Sequence, residues 1–285
     1  MPMPSKELLL YLVASFWGAS LPNLNGQSST TKIVAPDPGA LDYFGVCVSS
    51  FDRRVVIGAS GDDDLGSFSG SVYAWEFIEP SWLLESKLLA SDGDADDGFG
   101  RAVTLAGDTL LSSAPGNETG GNRDGSGYVF ERAAGLWSET SKLVPSDLAT
   151  YGNVGDWVSI FKGTAILGDH CDRQFGSCSG AAFVFERQGA GWLETQKLTA
   201  SDAQGGAWFG LKVCVWGDTA VISAPNYEHC TGPSGGAVYV FERRANGWVE
   251  TAKLCASDPT PAIFGDALAF CGDVILVGDD LESGG

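Results

Sequence analysis

Two acidic stretches carry the side chains best suited to hold a hard cation. One is Asp62-Asp63-Asp64, and the other is Asp92-Gly93-Asp94-Ala95-Asp96-Asp97-Gly98. Alternate carboxylates can converge on a divalent ion where glycine lets the backbone turn tightly. Asp62 and Asp64, and separately Asp92, Asp94 and Asp96, are therefore candidate calcium ligands, and calcium is the cofactor these residues suggest. The second run lacks glycine at its sixth place and a bidentate acid at its twelfth, so it departs from the helix-flanked calcium loop. The competing reading is a set of solvated turn acids.

Other chemistry has thinner support. There are two histidines, His170 and His229, and no Cys-x-x-Cys pair, which makes zinc a poor reading. No Gly-x-Ser-x-Gly elbow, phosphate-cradling loop or His-Glu-x-x-His is present. Of the seven cysteines, Cys171 and Cys178 share one loop and are the pair expected to bridge. Cys47, Cys214 and Cys271 read as small buried hydrophobes, and Cys230 and Cys255 cannot be paired from sequence. Asn117-Glu118-Thr119 is an N-glycosylation sequon with Asn117 as acceptor. A net charge of −19, from 36 acidic and 17 basic residues, argues against nucleic acid and anionic lipid as partners.

These residues sit on a tandem repeat. Phe44-Gly45 and Phe99-Gly100 stand 55 residues apart, as do Phe209-Gly210 and Phe264-Gly265, with Val154-Gly155 at the position between. The same interval carries Tyr73 to Tyr128 and Phe183, Trp82 to Trp137 and Trp192, and Lys87-Leu88 to Lys142-Leu143 and Lys197-Leu198. The fourth copy keeps these shifted by one, as Tyr239, Trp248 and Lys253-Leu254. Each copy holds four short apolar segments separated by Gly, Asp, Ser and Pro, which predicts strands; in copy two they are 99–105, 109–114, 127–132 and 137–144. Gly107-Asp108 supplies the tight turn between the first two. Alternation along strand three predicts Tyr128 and Phe130 on one face and Val129 on the other.

A four-stranded unit of this length has the size of a propeller blade, and it must stack on neighbours to cover both faces. The predicted fold is all-β, a β-propeller with blades at about 42–90, 97–145, 152–200, 207–256 and a partial fifth at 262–285. A β-sandwich or solenoid ranks below it.

The run Phe99-Gly100-x-x-Val103, Gly107-Asp108-Thr109, Ser113-Ala114-Pro115-Gly116 and Gly127-Tyr128-Val129-Phe130-Glu131-Arg132 resembles the FG-GAP repeat. That family is similar to the N-terminal propeller of integrin α-subunits. The resemblance covers residues 30–285 and implies an extracellular binding or adhesion module, commonly of seven blades. It also implies calcium in a loop between two strands of a blade, which favours Asp62 to Asp64. Copy three departs from the pattern: it lacks the Phe and has Gly168-Asp169-His170 where other copies have an Ala-Pro turn. Copy one has Asp52-Arg53-Arg54 in place of the Gly-Asp-Thr turn.

The repeats stop within a fifth copy, so the expectation is an incomplete ring, a fragment or an arc that self-associates through open edges. Residues 25–33 have the phase of a fourth strand without its own blade. Residues 1–24 carry an early positive charge, an apolar stretch and small residues, the pattern of a secretory signal peptide. The propeller then spans 25–285 and the protein is extracellular, secreted or on the cell surface. No later segment is long and apolar enough to span a bilayer.

Residues repeated in every copy serve the blade. Lys87, Lys142, Lys197 and Lys253, and Glu76, Glu131, Glu186 and Glu242, are expected in cross-strand or inter-blade ion pairs. Ligand recognition should lie where copies differ, in loops 61–69, 116–124, 169–179 and 226–235. The sequence thus predicts a non-catalytic module for a protein or glycan ligand. The alternatives are a propeller-type hydrolase acting on extracellular polymers through a carboxylate pair, and a calcium-stabilised structural repeat.

Overall fold

The computed structural model describes residues 31–119, 123–147, 152–228, 230, 235–257 and 263–280. The expected signal peptide lies outside them. Among the described residues there are 18 strands and no helix. They form four antiparallel four-stranded sheets, each a meander in chain order. The first is β1 (Phe44–Phe51), β2 (Arg54–Ala59), β3 (Ser71–Ile78) and β4 (Ser81–Leu88). The second is β5 (Val103–Ala106), β6 (Thr109–Ala114), β7 (Ser126–Ala133) and β8 (Leu136–Leu143). The third is β9 (Val158–Phe161), β10 (Thr164–Asp169), β11 (Ala181–Gln188) and β12 (Gly191–Leu198). The fourth is β13 (Val213–Trp216), β14 (Thr219–Ala224), β15 (Ala237–Arg244) and β16 (Gly247–Leu254). A two-stranded sheet, β17 (Ile263–Cys271) and β18 (Val274–Asp280), follows.

The sheets are propeller blades. Their first strands meet in succession, β1 with β5, β5 with β9, β9 with β13 and β13 with β17, around a common axis. Their fourth strands meet in the same order on the outside. The described blades form an arc and not a closed ring. The predicted alternation on strand three decides how the blades pack. Tyr128 and Phe130 enter a core shared with Val56, Val72 and Ala74 of the first blade, while Val129 enters a core with Ala165 and Leu167 of the third.

The Phe-Gly pair of the second copy does not open a strand as expected. β5 begins at Val103, and Phe99 instead pairs in a parallel bridge with Gly70 of the preceding blade, as Phe209 does with Gly180. The reason is a close approach of two backbones. A Cβ on Gly70 would lie 2.0 Å from the Phe99 carbonyl oxygen, and one on Gly100 would lie 2.3 Å from that of Ser71. Gly100 also has a φ of 87°, which a side chain disfavours. The Phe99 ring, fully buried, meets Tyr128 edge-on at 5.5 Å, and Phe209 meets Tyr239 in the same way at 5.4 Å. Phe99→Ala should lose about 3–5 kcal/mol of stability in equilibrium denaturant unfolding; a loss below about 1 kcal/mol would show that this corner does not hold the blades together.

Candidate ligand-binding site

The acidic residues proposed for calcium are placed first by the repeated lysine of strand four. Lys87 on β4 points its ammonium into Asp37, Asp62 and Asp64, at 2.8, 2.9 and 2.7 Å. Tyr73 donates to Asp37 at 2.7 Å and to Asp62 at 3.1 Å. Burial alone would lower the lysine pKa, but the hydrogen bonds to Asp37, Asp64 and Asp62 outweigh it and raise it. The three carboxylates, Asp62 and Asp64 of the calcium expectation among them, therefore face a cation that belongs to the chain.

The same arrangement recurs one blade at a time. Lys142 pairs with Asp92 at 2.7 Å, Lys197 with Asp147 at 2.8 Å and Lys253 with Asp202 at 2.8 Å. Each ammonium also lies 5.3–5.5 Å over the ring of Tyr73, Tyr128, Phe183 or Tyr239. Asp37, Asp92, Asp147 and Asp202 precede their blades, so this contact fastens each lead-in segment to strands three and four. Asp92, Asp94 and Asp96 consequently do not converge: Asp92 serves Lys142, Asp94 accepts from Ala95 N, and Asp96 pairs with Arg123.

Asn117, the expected glycan acceptor, belongs to this network too. It occupies the repeat position of Asp62 and Asp172, is 4% exposed, and accepts from Lys142 at 2.7 Å. Its Nδ2, the atom a glycan would use, donates to Asp97 at 3.0 Å. A sugar on Nδ2 would compete with the Asp97 contact, while Oδ1 would remain free to accept from Lys142.

Three of the four repeated glutamates link blades, as their recurrence suggests, whereas Glu242 pairs with Arg244 of its own strand. Arg132 reaches back to Glu76 at 3.3 Å and to Glu85, Arg187 to Glu131 at 2.7 Å, and Arg243 to Glu186 at 2.8 Å. These lie at the end of the blades where β1 turns into β2. The copy-varying loops lie at the other end, since Ala59 at the end of β2 pairs with Phe44 at the start of β1.

Copy three breaks the pattern at that loop end. Asp169 stands where the other blades have buried Ala59, Ala114 and Ala224, and it is itself fully buried. Its Oδ1 accepts from Asn153 N and Cys171 N at 3.1 and 3.0 Å, while Oδ2 has no hydrogen-bond partner. Burial pushes its pKa up to about 6. Next to it, His170 Nδ1 lies 2.6 Å from Asp156 Oδ2, and the imidazole meets the Trp208 ring edge-on at 5.8 Å. Nearby, Lys212 places its ammonium 3.9 Å over Trp157, and burial lowers its pKa, with Asp266 and Asp156 opposing.

Trp208 precedes Phe209-Gly210 and has a φ of 59°, unfavourable for a bulky residue. The second copy has Gly98 here, at φ 65° and with open space around its would-be Cβ. The first copy has Tyr43 at this phase, also exposed and at φ 54°, so the indole, 38% exposed and facing His170, is a second aromatic held here at positive φ. Sequence reasoning named the 169–179 loop but missed Asp156 and Trp208, whose repeat phases hold a different residue in most copies and so gave no signal.

Cys171 and Cys178 come together in this loop, where each stands as a free thiol. Burial and then the neighbouring Cys178 thiol push the Cys171 pKa up to about 12. The loop is closed without a bridge, because Gly180 N and Ser179 Oγ both donate to the Asp172 carbonyl. The disulfide present joins Cys230 to Cys255, with Cα atoms 5.5 Å apart. Cys47, Cys214 and Cys271 are free, and His229 lies outside the described residues.

Fold and inter-blade contacts define a β-propeller of repeated four-stranded blades. The chain matches the FG-GAP repeat over residues 28–75, 82–130, 137–185 and 192–241, and it belongs to that family. A crystal structure of a protein from Lactobacillus plantarum is similar at 14% identity, with a TM-score of 0.55 over 82% of this chain. The chain spans 64% of that structure's length, and the likeness is one of fold. No curated protein matches the chain.

Two tests follow from the charges. Lys87→Met leaves Asp37, Asp62 and Asp64 facing one another. It should cost about 1–3 kcal/mol, less than a fully buried pair because Asp37 and Asp64 are half-exposed. Millimolar calcium should raise the melting temperature of this variant and leave the wild type unmoved; a calcium-dependent wild type would refute the internal-cation reading. Asp169 is stable in the fold when neutral, because its folded pKa of about 6 exceeds the ordinary value of 3.8. Its contribution is complete below pH ~4 and is lost as pH rises through ~6, by roughly 3 kcal/mol. Unfolding free energies of wild type and Asp169→Asn should diverge over that window, and parallel curves would refute it.

Proposed function

We propose that this chain is a secreted or cell-surface binding module that recognises a protein or glycan through the loop end of its blades, without turnover. The observation that carries this reading is the division of labour among positions. The lysines repeated in every blade, and three of the four repeated glutamates, are engaged in holding blades and lead-in segments. Side chains that break the repeat gather on one end, where Asp156, His170 and the strained Trp208 stand together. An exposed indole beside a polar His–Asp contact is the chemistry of recognition surfaces. Export is supported by the signal-like pattern of residues 1–24 and by the Cys230–Cys255 bridge.

The test is an immobilised peptide and glycan array probed with wild type, Trp208→Gly and His170→Ala. Trp208→Gly is chosen because glycine suits the backbone there, so folding should be kept or improved. Ligands of the wild type should be weakened at least about tenfold by both variants, a loss of about 1.4 kcal/mol, and recovered chemically intact. Undiminished binding by both variants would remove the loop end from recognition. Cleaved array products would favour the hydrolase reading.

A further inference from the structure

The axial channel ends differently on the opposite side. Its walls are the five first strands, β1, β5, β9, β13 and β17. The last residue of each strand falls at one repeat phase: Phe51, Ala106, Phe161, Trp216 and Cys271. Three of the five are aromatic. The Phe161 and Trp216 rings lie 4.4 Å apart, Phe51 is 46% exposed and Trp216 is 38% exposed. With Phe270 they line a cavity of about 530 Å³ that opens where the β1–β2 type hairpins turn. Lys162 stands at its rim with the ammonium 5.2 Å over Phe161. Ser49 and Ser159 face the cavity; each hydroxyl accepts from a neighbouring strand, at Leu105 N and Val215 N, and keeps its own proton to donate.

We propose that this cavity binds a neutral sugar unit of a polysaccharide, a hexopyranose laid on Trp216, whose ring Phe161 supports at 4.4 Å. Such a ring has one apolar C–H face, which stacking on the aromatic walls takes out of water, and an edge of hydroxyls for the serines and Lys162. Charge selects against the competitors. Lys162 already lies over the Phe161 face, which disfavours a cationic ligand. The chain's net charge of −19 opposes an extended polyanion. A peptide carboxylate would find Lys162 but offers the aromatic wall nothing flat to cover it. The site is separate from the loop-end surface, so either can fail without the other.

Titration of the full chain with pentasaccharides of glucose, galactose and mannose, followed by tryptophan fluorescence and calorimetry, tests this. At least one pentasaccharide should bind saturably. Trp216→Ala should weaken it about tenfold or more, equal to about 1.4 kcal/mol, while Leu136→Ala, at an exposed position on β8, leaves it unchanged. A hexuronate pentamer should bind at least about tenfold more weakly than its neutral counterpart. Absence of saturable binding to all three sugars by the folded wild type would overturn the proposal. So would binding that survives Trp216→Ala and Phe161→Ala together, or preferential binding of the hexuronate or of a glutamate-rich peptide.

Discussion

A sheet that is apolar on both faces has to be covered twice, and everything else in this chain is arranged around that requirement. Strand three shows it most directly. Its alternate residues are divided between two cores, one shared with the preceding blade and one with the following blade. No blade is therefore an independent folding unit, and stability resides in the interfaces. The Phe-Gly corner exists for the same contact. The glycines let two backbones meet, and the phenylalanine fills the space that opens behind them.

Close stacking leaves the polar ends of the blades to be fastened separately, and two charge patterns do so at opposite ends. At the loop end, each lysine ties its own lead-in segment back to the blade. At the hairpin end, each arginine reaches the glutamate of the blade before it. The two patterns differ in what they fix. The first holds a segment within one blade, and the second sets the angle between blades. In the first blade, Pro36 and Leu84 stand at the phases of Ser91 and Glu139, which bond each other through Ser91 N at 2.8 Å. Both partners are missing together, as expected of a contact that is useful only when whole.

Much of this was legible because the repeat supplies its own alignment. The period located strands, the face of Tyr128 and the pairing of three of the repeated glutamates. Reading was incomplete where a residue type was taken alone, without its phase. Asp92, Asp94 and Asp96 look like a cation loop in isolation, yet single acids Asp147 and Asp202 at the phase of Asp92 already marked it as a lysine partner. Asn117 looks like a glycan acceptor, yet it holds the phase of Asp62 and Asp172. The Cys230–Cys255 bridge was beyond reach for another reason. It joins residues with no counterpart in other copies, and only the folded path of the chain brings them within 5.5 Å.

Copy three shows what the repeat tolerates and why. A buried alanine position there carries Asp169, whose second oxygen finds no partner, and a glycine-compatible position one blade on carries Trp208 at positive φ. Each is a local loss of stability that the neighbouring packing has to absorb, of the order of 1–3 kcal/mol for a strained backbone or an unpaired buried polar group. These two adjoin one another through His170, which follows Asp169 in the chain and meets Trp208 in space. Losses of the same kinds stand elsewhere, at Tyr43 and Phe68 with positive φ and at Ser112 with an unpartnered buried hydroxyl; what sets this place apart is that two of them meet at one imidazole.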